Sequence, residues 1–495
     1  MFWAVTGAFA FIVLAWLWRI NAAMQSVPES ARQASPRRWT ERELRDTYER
    51  LKQKPLDFVK LLPPRLDRRY VVVGGSGLVG GDIVLQLLQR GESPECIRVV
   101  DFVPLNRRDM IGKVAGCDFV KADISSRSSV DAAFSKPWPE SVVKKPLTVF
   151  HTAAAVRPQE RSLLIYHRIS AVNRDGAVNV LKASRAAGAD IFIATSSASV
   201  SIVPPKFWIW PWQRTPVNYL QIANERDFDA SLRPHDRFFS NYAYSKAEAE
   251  RAVCNANEPT FRTGTIRPGN PIYGQKTDPV LGIVLRMRDN VTWISHIVQN
   301  FVNSRNVALA HLQFEAALAL PKGNPNNANP TTTTMPACAG RTFNVTDLGP
   351  PPSFADVYCA AQTLSATPVR VTQQNPIMLF LLAHAIEAWC LLLARLPFLT
   401  AWFGWREPSG PIHMLQPSVF SVSCHTLVDD SLARKSVAEG GIGYRGGCTT
   451  IEGICEQILE WNRENGKEGK AVEDVGGGVD GTVAKAALNT AGLAA

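Results

Sequence analysis

The sequence predicts an α/β protein with a Rossmann-type, doubly wound parallel sheet, a smaller C-terminal substrate-binding lobe and an N-terminal membrane anchor. Three observations carry that expectation. From Arg69 onward, short β-branched runs alternate with helical stretches, the rhythm of βα units. The first run leads into a glycine-rich turn, Gly74-Gly75-Ser76-Gly77-Leu78-Val79-Gly80. The chain also opens on an apolar run, residues 1–18, that ends at Arg19.

That run lies at the lower limit of the roughly 17–25 residues a spanning helix needs. Positive charge lies only on its C-terminal side, which predicts an uncleaved single-pass anchor over residues 1–20 with the rest of the chain in the cytosol. A cleaved signal peptide is the rival, because Ala22-Ala23 resembles a cleavage site, but no positive charge precedes the apolar run. Residues 21–66 read as a polar, basic tether, partly helical over 24–54. A dinucleotide-binding domain is expected over 67–268, with strands at 70–73, 97–101, 119–121, 147–151, 190–195 and 263–267. Helices are expected at 79–90, 130–134 and 170–187. Residues 269–465 are assigned to the substrate lobe. Within it, the apolar stretch 377–399 carries His384, Glu387 and Arg395 on one stripe, which suits a helix on the membrane surface or half-docked on the protein. A buried core helix is the alternative. Residues 323–337 read as a low-complexity surface insertion and 466–495 as a disordered tail.

The formal charge is +10, and Arg37, Arg38, Arg42, Arg45, Arg65, Arg68 and Arg69 follow the apolar start. That placement points to anionic lipid headgroups. The chain carries no nucleic-acid-binding motif, so nucleic acid is not an expected partner. The nine cysteines are scattered, without a Cys-x-x-Cys pair, so neither a metal site nor a disulfide framework is expected.

The turn follows a strand and opens a helix, the context in which such glycines bind a dinucleotide. Gly74 permits the tight bend, Gly77 lets a pyrophosphate approach the backbone, and Gly80 lets helix and strand pack closely. Gly75, Leu78 and Val79 complete the cradle at the helix N-terminus. Asp101 ends the second strand, where a carboxylate accepts hydrogen bonds from an adenine ribose diol and repels a 2′-phosphate. NAD is therefore expected over NADP, with Arg107 and Arg108 as the phosphate-binding alternative. Asp123 and Ile124 are placed to flank the adenine, and Ala153 lies among small residues after the fourth strand. Tyr242 and Lys246 stand four apart, on one face of a helix. A cation there is expected to lower the phenol's pKa and make it a proton carrier near neutral pH.

These pieces, in this order, resemble the extended short-chain dehydrogenases and, within them, the 3β-hydroxysteroid dehydrogenase family. The resemblance rests on Val72-Val-Gly-Gly-Ser-Gly-Leu-Val-Gly80, Val149-Phe-His-Thr-Ala-Ala154, Val172-Asn-Arg-Asp-Gly-Ala-Val-Asn-Val180, Ile266-Arg-Pro-Gly-Asn-Pro-Ile-Tyr-Gly274 and Gly340-Arg-Thr-Phe-Asn-Val-Thr-Asp347. Val73 departs from it, since a threonine usually braces the turn there. The resemblance implies Tyr242 as acid/base, Lys246 as its partner and ribose ligand, and Ser197 as the hydroxyl that polarises the substrate oxygen. Ser196 is the fallback. It implies Asn173 in a proton relay, with helix packing as an equal reading, and Pro268 beside the nicotinamide. The implied reaction oxidises the 3β-hydroxyl of a sterol, steroid or triterpenoid, with loss of a 4-carboxylate left open. The implied location is the endoplasmic reticulum membrane, with a homodimer left open. The loop 202–212, carrying Trp208, Trp210 and Trp212, suits a membrane interface or substrate mouth, with a structural plug as the alternative. A nucleotide-sugar epimerase or reductase, or a non-catalytic cofactor sensor, is the competing function.

Overall fold

The computed structural model describes residues 1–319 and 335–466. The expected insertion, apart from residues 335–337, and the expected tail, apart from Gly466, lie outside the described residues. Among those residues one parallel sheet has seven strands: β1 Arg69–Val73, β2 Ile97–Asp101, β3 Asp118–Lys121, β4 Leu147–His151, β5 Ala189–Thr195, β6 Arg262–Pro268 and β7 Thr342–Val345. Their order is β7-β6-β5-β4-β1-β2-β3. Order reverses between β1 and β4, which puts a binding crevice at their carboxyl ends. Seven helices matter here: α1 Phe2–Met24, α2 Glu41–Gln53, α3 Leu78–Gln89, α4 Asn241–Asn255, α5 Ser304–Leu318, α6 Pro376–Arg395 and α7 Thr450–Asn465.

The pleat sorts alternate side chains to opposite faces. Tyr70, Val72, Phe150, Ile191 and Ile193 pack with α3 and α5 on one face. Val71, Val73, Val149, Phe192 and Ala194 pack on the other against Val130, Phe134, Val180 and Val253. Burial on both faces explains why the strands read as continuous apolar runs.

Two expectations need correction and a third is narrowed. The sheet is not confined to 67–268, because β7 pairs with β6 from within the assigned substrate lobe. Its four residues carry no periodicity long enough to distinguish them in sequence. Residues 21–66 are not a free tether. In α2, Leu44 and Leu51 are buried with Ile454, Cys455 and Ile458 of α7, Arg50 pairs with Glu452 at 3.0 Å, and Phe58 lies where a side chain at Gly447 would fall. Leu44, Tyr48 and Leu51 form an i, i+4, i+7 stripe that the surrounding charge concealed. The apolar stretch 377–399 forms α6 followed by a separate short helix, Pro397–Phe403. Both α1 and α6 are long and apolar enough to cross a membrane, yet 39% of α6's most apolar window is buried against 6% near the N-terminus. The half-docked arrangement is the one adopted.

Candidate active site

The glycine turn joins β1 to α3. Gly74 adopts φ 84°, a conformation that favours glycine, and a side chain on it would collide with the Ala153 backbone. A side chain at Gly80 would run into the Gly74 carbonyl and Thr152. Thr152 Oγ1 donates to the Val73 carbonyl at 2.9 Å and to that of Gly74 at 3.2 Å. It thus braces the turn from the neighbouring strand, as a threonine at position 73 would have done locally. The sequence reading missed this role, although a polar residue directly after an apolar strand was the available signal.

Asp101 accepts the Ser76 amide at 2.9 Å and the Val103 amide at 3.0 Å, and burial pushes its carboxyl above the usual range against those hydrogen bonds. Arg107 is not a free phosphate ligand. It donates to the Gly77 and Leu78 carbonyls at 2.8 and 2.9 Å and pairs with Asp82 and Asp109. Arg108 lies in the exposed surface and pairs with Glu464 at 3.7 Å. Leu78 and Val79 are buried in the first turn of α3. Asp123 is exposed and accepts from the Ser125 amide and hydroxyl. Ile124 is buried against Gly176, and Pro268 is buried at the end of β6.

Tyr242 and Lys246 lie on α4, which the Ser240 hydroxyl caps by accepting the Ala243 amide. Lys246 is buried and donates to the Thr195 carbonyl at the end of β5, at 2.8 Å. Burial brings its ammonium down to about 8, opposed by Glu250. Tyr242 is half-buried beside the Ser197 hydroxyl, and its phenol is pushed up to about 12 by burial, with the Ser197 hydrogen bond working downward. The expected lowering by a neighbouring cation is therefore not what this arrangement produces. Lys246 is engaged by a carbonyl, and desolvation dominates the phenol.

Ser197 also bonds Ser199 at 2.7 Å. Asn173 sits in the π-helical segment Ala171–Gly176, a form that often marks functional sites. Its side chain accepts the Ala155 amide at 2.8 Å, donates to the Ala155 carbonyl at 2.9 Å, and donates to Ser245 at 3.1 Å. Those three bonds tie the segment after β4 to α4. His151 and Ser196 line a small cavity with Asn173 and Lys246. Burial and the Lys246 charge push His151 down to about 3. His151 Nδ1 and Ser196 Oγ are buried without a protein partner among the described residues. Unpartnered polar atoms, a side-chain-free glycine cradle and a carboxylate at the end of β2 together fit a dinucleotide.

An apolar flank adjoins the site. The Tyr242 ring packs on a cluster containing Phe207, Phe238, Phe239 and Phe380, which extends to Ile20 and Met24 at the end of α1. Trp16 donates to the Ile209 carbonyl at 2.8 Å, and Tyr219 donates to Met24. The loop 202–212 alternates buried Phe207 and Ile209 with exposed Trp208, Trp210 and Trp212.

Fold and site together define an extended short-chain dehydrogenase, an oxidoreductase class built around a nicotinamide dinucleotide. The model of the 3-beta hydroxysteroid dehydrogenase/isomerase family matches residues 71–365, and the chain belongs to that family. Human sterol-4-alpha-carboxylate 3-dehydrogenase, decarboxylating, is 29% identical over 226 residues, 45% of this chain and about half (49%) of the human protein. The Schizosaccharomyces pombe enzyme of the same description is 25% identical over 367 residues, 72% of this chain and 93% of that one. A solved epimerase from Methanothermobacter thermautotrophicus shares the fold at TM-score 0.51 and 15% identity, covering 84% of this chain and 97% of that one.

Proposed function

We propose that the protein oxidises the 3β-hydroxyl of a membrane-dissolved sterol or related triterpenoid to the 3-ketone, with 4-carboxylated sterols among the substrates. The observation that carries this reading is the position of Tyr242: its ring is part of the apolar cluster that reaches α1 and α6, while its phenol meets Ser197. The apolar packing around Tyr242 thus runs without a break from the proton-transfer pair to the two elements that carry exposed apolar residues. Ser197 holds the substrate oxygen, and Tyr242 accepts the hydroxyl proton as its phenolate, a form that burial disfavours and that a bound cofactor's positive charge would favour. Lys246 holds a positive charge at the floor of the site and binds the ribose. Asn173 is a positioning residue, because its amide is taken up by Ala155 and Ser245. The turn Gly74 to Gly80, Asp101, Asp123, Ile124, Ala153 and Pro268 hold the cofactor. When bound, an oxidised nicotinamide supplies the hydride acceptor and a positive charge beside the phenol. NAD is favoured over NADP because Asp101 carries negative charge at the ribose position and Arg107 is committed to Asp82 and Asp109.

We place the protein on the endoplasmic reticulum membrane with its catalytic lobe in the cytosol. Support comes from the exposed Phe2, Trp3, Phe9, Phe11 and Ile12 of α1, the tryptophan loop and the outer side of α6, all apolar surfaces on one flank. The test uses detergent-solubilised protein and follows NADH formation at 340 nm with a panel of 3β-hydroxysterols and 4-carboxylated members, and product chromatography with UDP-sugars, because an epimerase regenerates its NAD and forms no net NADH. Sterol turnover lost in Tyr242→Phe supports the reading, and carbon dioxide release identifies the decarboxylating form. Turnover of UDP-sugars alone would overturn it.

A further inference from the structure

We propose that Cys390, Glu407 and His413 form a binding site for a transition-metal dication of the zinc class, stapling α6 to the loop that follows it. Their ligand atoms all lie within 4.8 Å of one another. In a tetrahedral site with bonds of about 2.0–2.3 Å, ligand atoms stand roughly 3.3–3.8 Å apart, so closure asks for a contraction of about 1 Å. The state of two donors agrees with coordination. Cys390 is 3% exposed on the inner side of α6, and its thiol is a free one. His413 Nδ1 is buried without a hydrogen bond, 3.8 Å from Glu407 Oε2.

The mixed sulfur, nitrogen and oxygen donors suit zinc rather than magnesium or calcium, which take oxygen sets. Glu407 is already oriented by Arg168, at 2.8 Å from Oε1 and 3.2 Å from Oε2. A hydrogen-bonded carboxylate of this kind is a common support for a metal ligand, but the guanidinium is also the cation with which a metal competes. Glu160 and Glu387 add negative charge felt at Cys390, and Arg157 and Arg161 offset them. Burial and Glu407 push the thiol up to about 11, and coordination removes its proton outright. A thiolate and a carboxylate balance a dication. Arg168 lies shortly before the π-helical segment that carries Asn173, so a metal here would tie the membrane-side lobe to the floor of the active site. Cysteine spacing carried no such signal, since the three donors are 17 and 6 residues apart.

The experiment strips the detergent-solubilised full chain with a chelator and titrates it with cobalt(II), then zinc. One equivalent of cobalt with a near-ultraviolet thiolate-to-cobalt absorption, displaced by zinc, is expected. Both signals should disappear in Cys390→Ser and in His413→Ala and persist in Cys359→Ser. A second reading uses the wild type alone, whose melting temperature should rise with zinc and not with magnesium. Absence of stoichiometric cobalt binding, or binding and absorption that survive in both site variants, would overturn the proposal. If the variants do not fold, the wild-type melting shift decides it, and no zinc-specific shift also overturns the site.

Discussion

The two ends of the central sheet differ in how completely they pair buried charge. At the amino ends of the strands, Arg90 pairs with Glu315 at 3.0 Å and Glu92 at 3.1 Å. Glu315 also accepts from Thr148 at 2.7 Å, and Asp190 joins Arg68 to Arg262. Every charge there has an opposite. At the carboxyl ends, Arg267 of β6 pairs with Glu250 and Asp227, but Lys246 is held by one carbonyl, and His151 and Ser196 carry unpartnered polar atoms. Burial costs several kcal/mol per ion unless a partner offsets it. The fully paired end is therefore a structural device, and the other end holds the perturbed groups that the proposed chemistry would use.

The contrast can be broken or sharpened by substitution. Tyr242→Phe has the largest expected effect, a loss of roughly 10²–10⁴-fold in turnover, with dinucleotide binding unchanged in a fluorescence titration. Turnover at the wild-type rate would remove the carboxyl-end site from the chemistry. At the other end, Glu315→Ala leaves Arg90 and Arg68 short of a partner and is expected to cost about 3–5 kcal/mol in denaturant unfolding. Equal stability would make that network dispensable and collapse the distinction.

Lys246→Met should act in the reverse sense on stability. Lys246 holds its proton at about 8 when folded, against an ordinary 10.5. The folded state therefore carries fewer protons between those values, and stability rises with pH across that window. Below pH 8 the penalty is present in full. Removing the charge should stabilise the cofactor-free protein at pH 7 by up to roughly 3 kcal/mol, a gain that shrinks between pH 8 and 10.5, while turnover is lost. A variant less stable than wild type at pH 7 would show that the bond to Thr195 outweighs desolvation. The smallest effect is expected at Asp101→Asn, where the charge that disfavours a 2′-phosphate is removed. A gain of about tenfold in kcat/KM for NADP, or ~1.4 kcal/mol, is anticipated. It stays modest because Arg107 is already paired.

Sequence and structure agree most closely where the signal is local. The expected strand at 97–101 coincides with β2, and 147–151 with β4, because residues buried on both sheet faces must be apolar throughout. The glycine turn was legible for a similar reason. Only glycine tolerates the positive φ at position 74 and the contact at position 80. The Tyr242 and Lys246 pair was legible because helical spacing alone puts them on one face.

What depended on distant partners was not legible. Whether Arg107 meets a ligand or clamps the glycine turn is decided by Asp82 and Asp109, and its sequence neighbourhood allows either. The phenol of Tyr242 is raised rather than lowered because burial, a property of the whole packing, outweighs its hydrogen bond with Ser197. The segment after α1 docks because α7, some 400 residues later, presents the complementary apolar face. Local sequence determined which elements form, which turn requires glycines and which residues share a helical face, since backbone sterics and side-chain periodicity act over a few residues. Tertiary structure alone decided partners, burial and proton affinity, because desolvation and charge pairing act through space between residues that the chain keeps far apart.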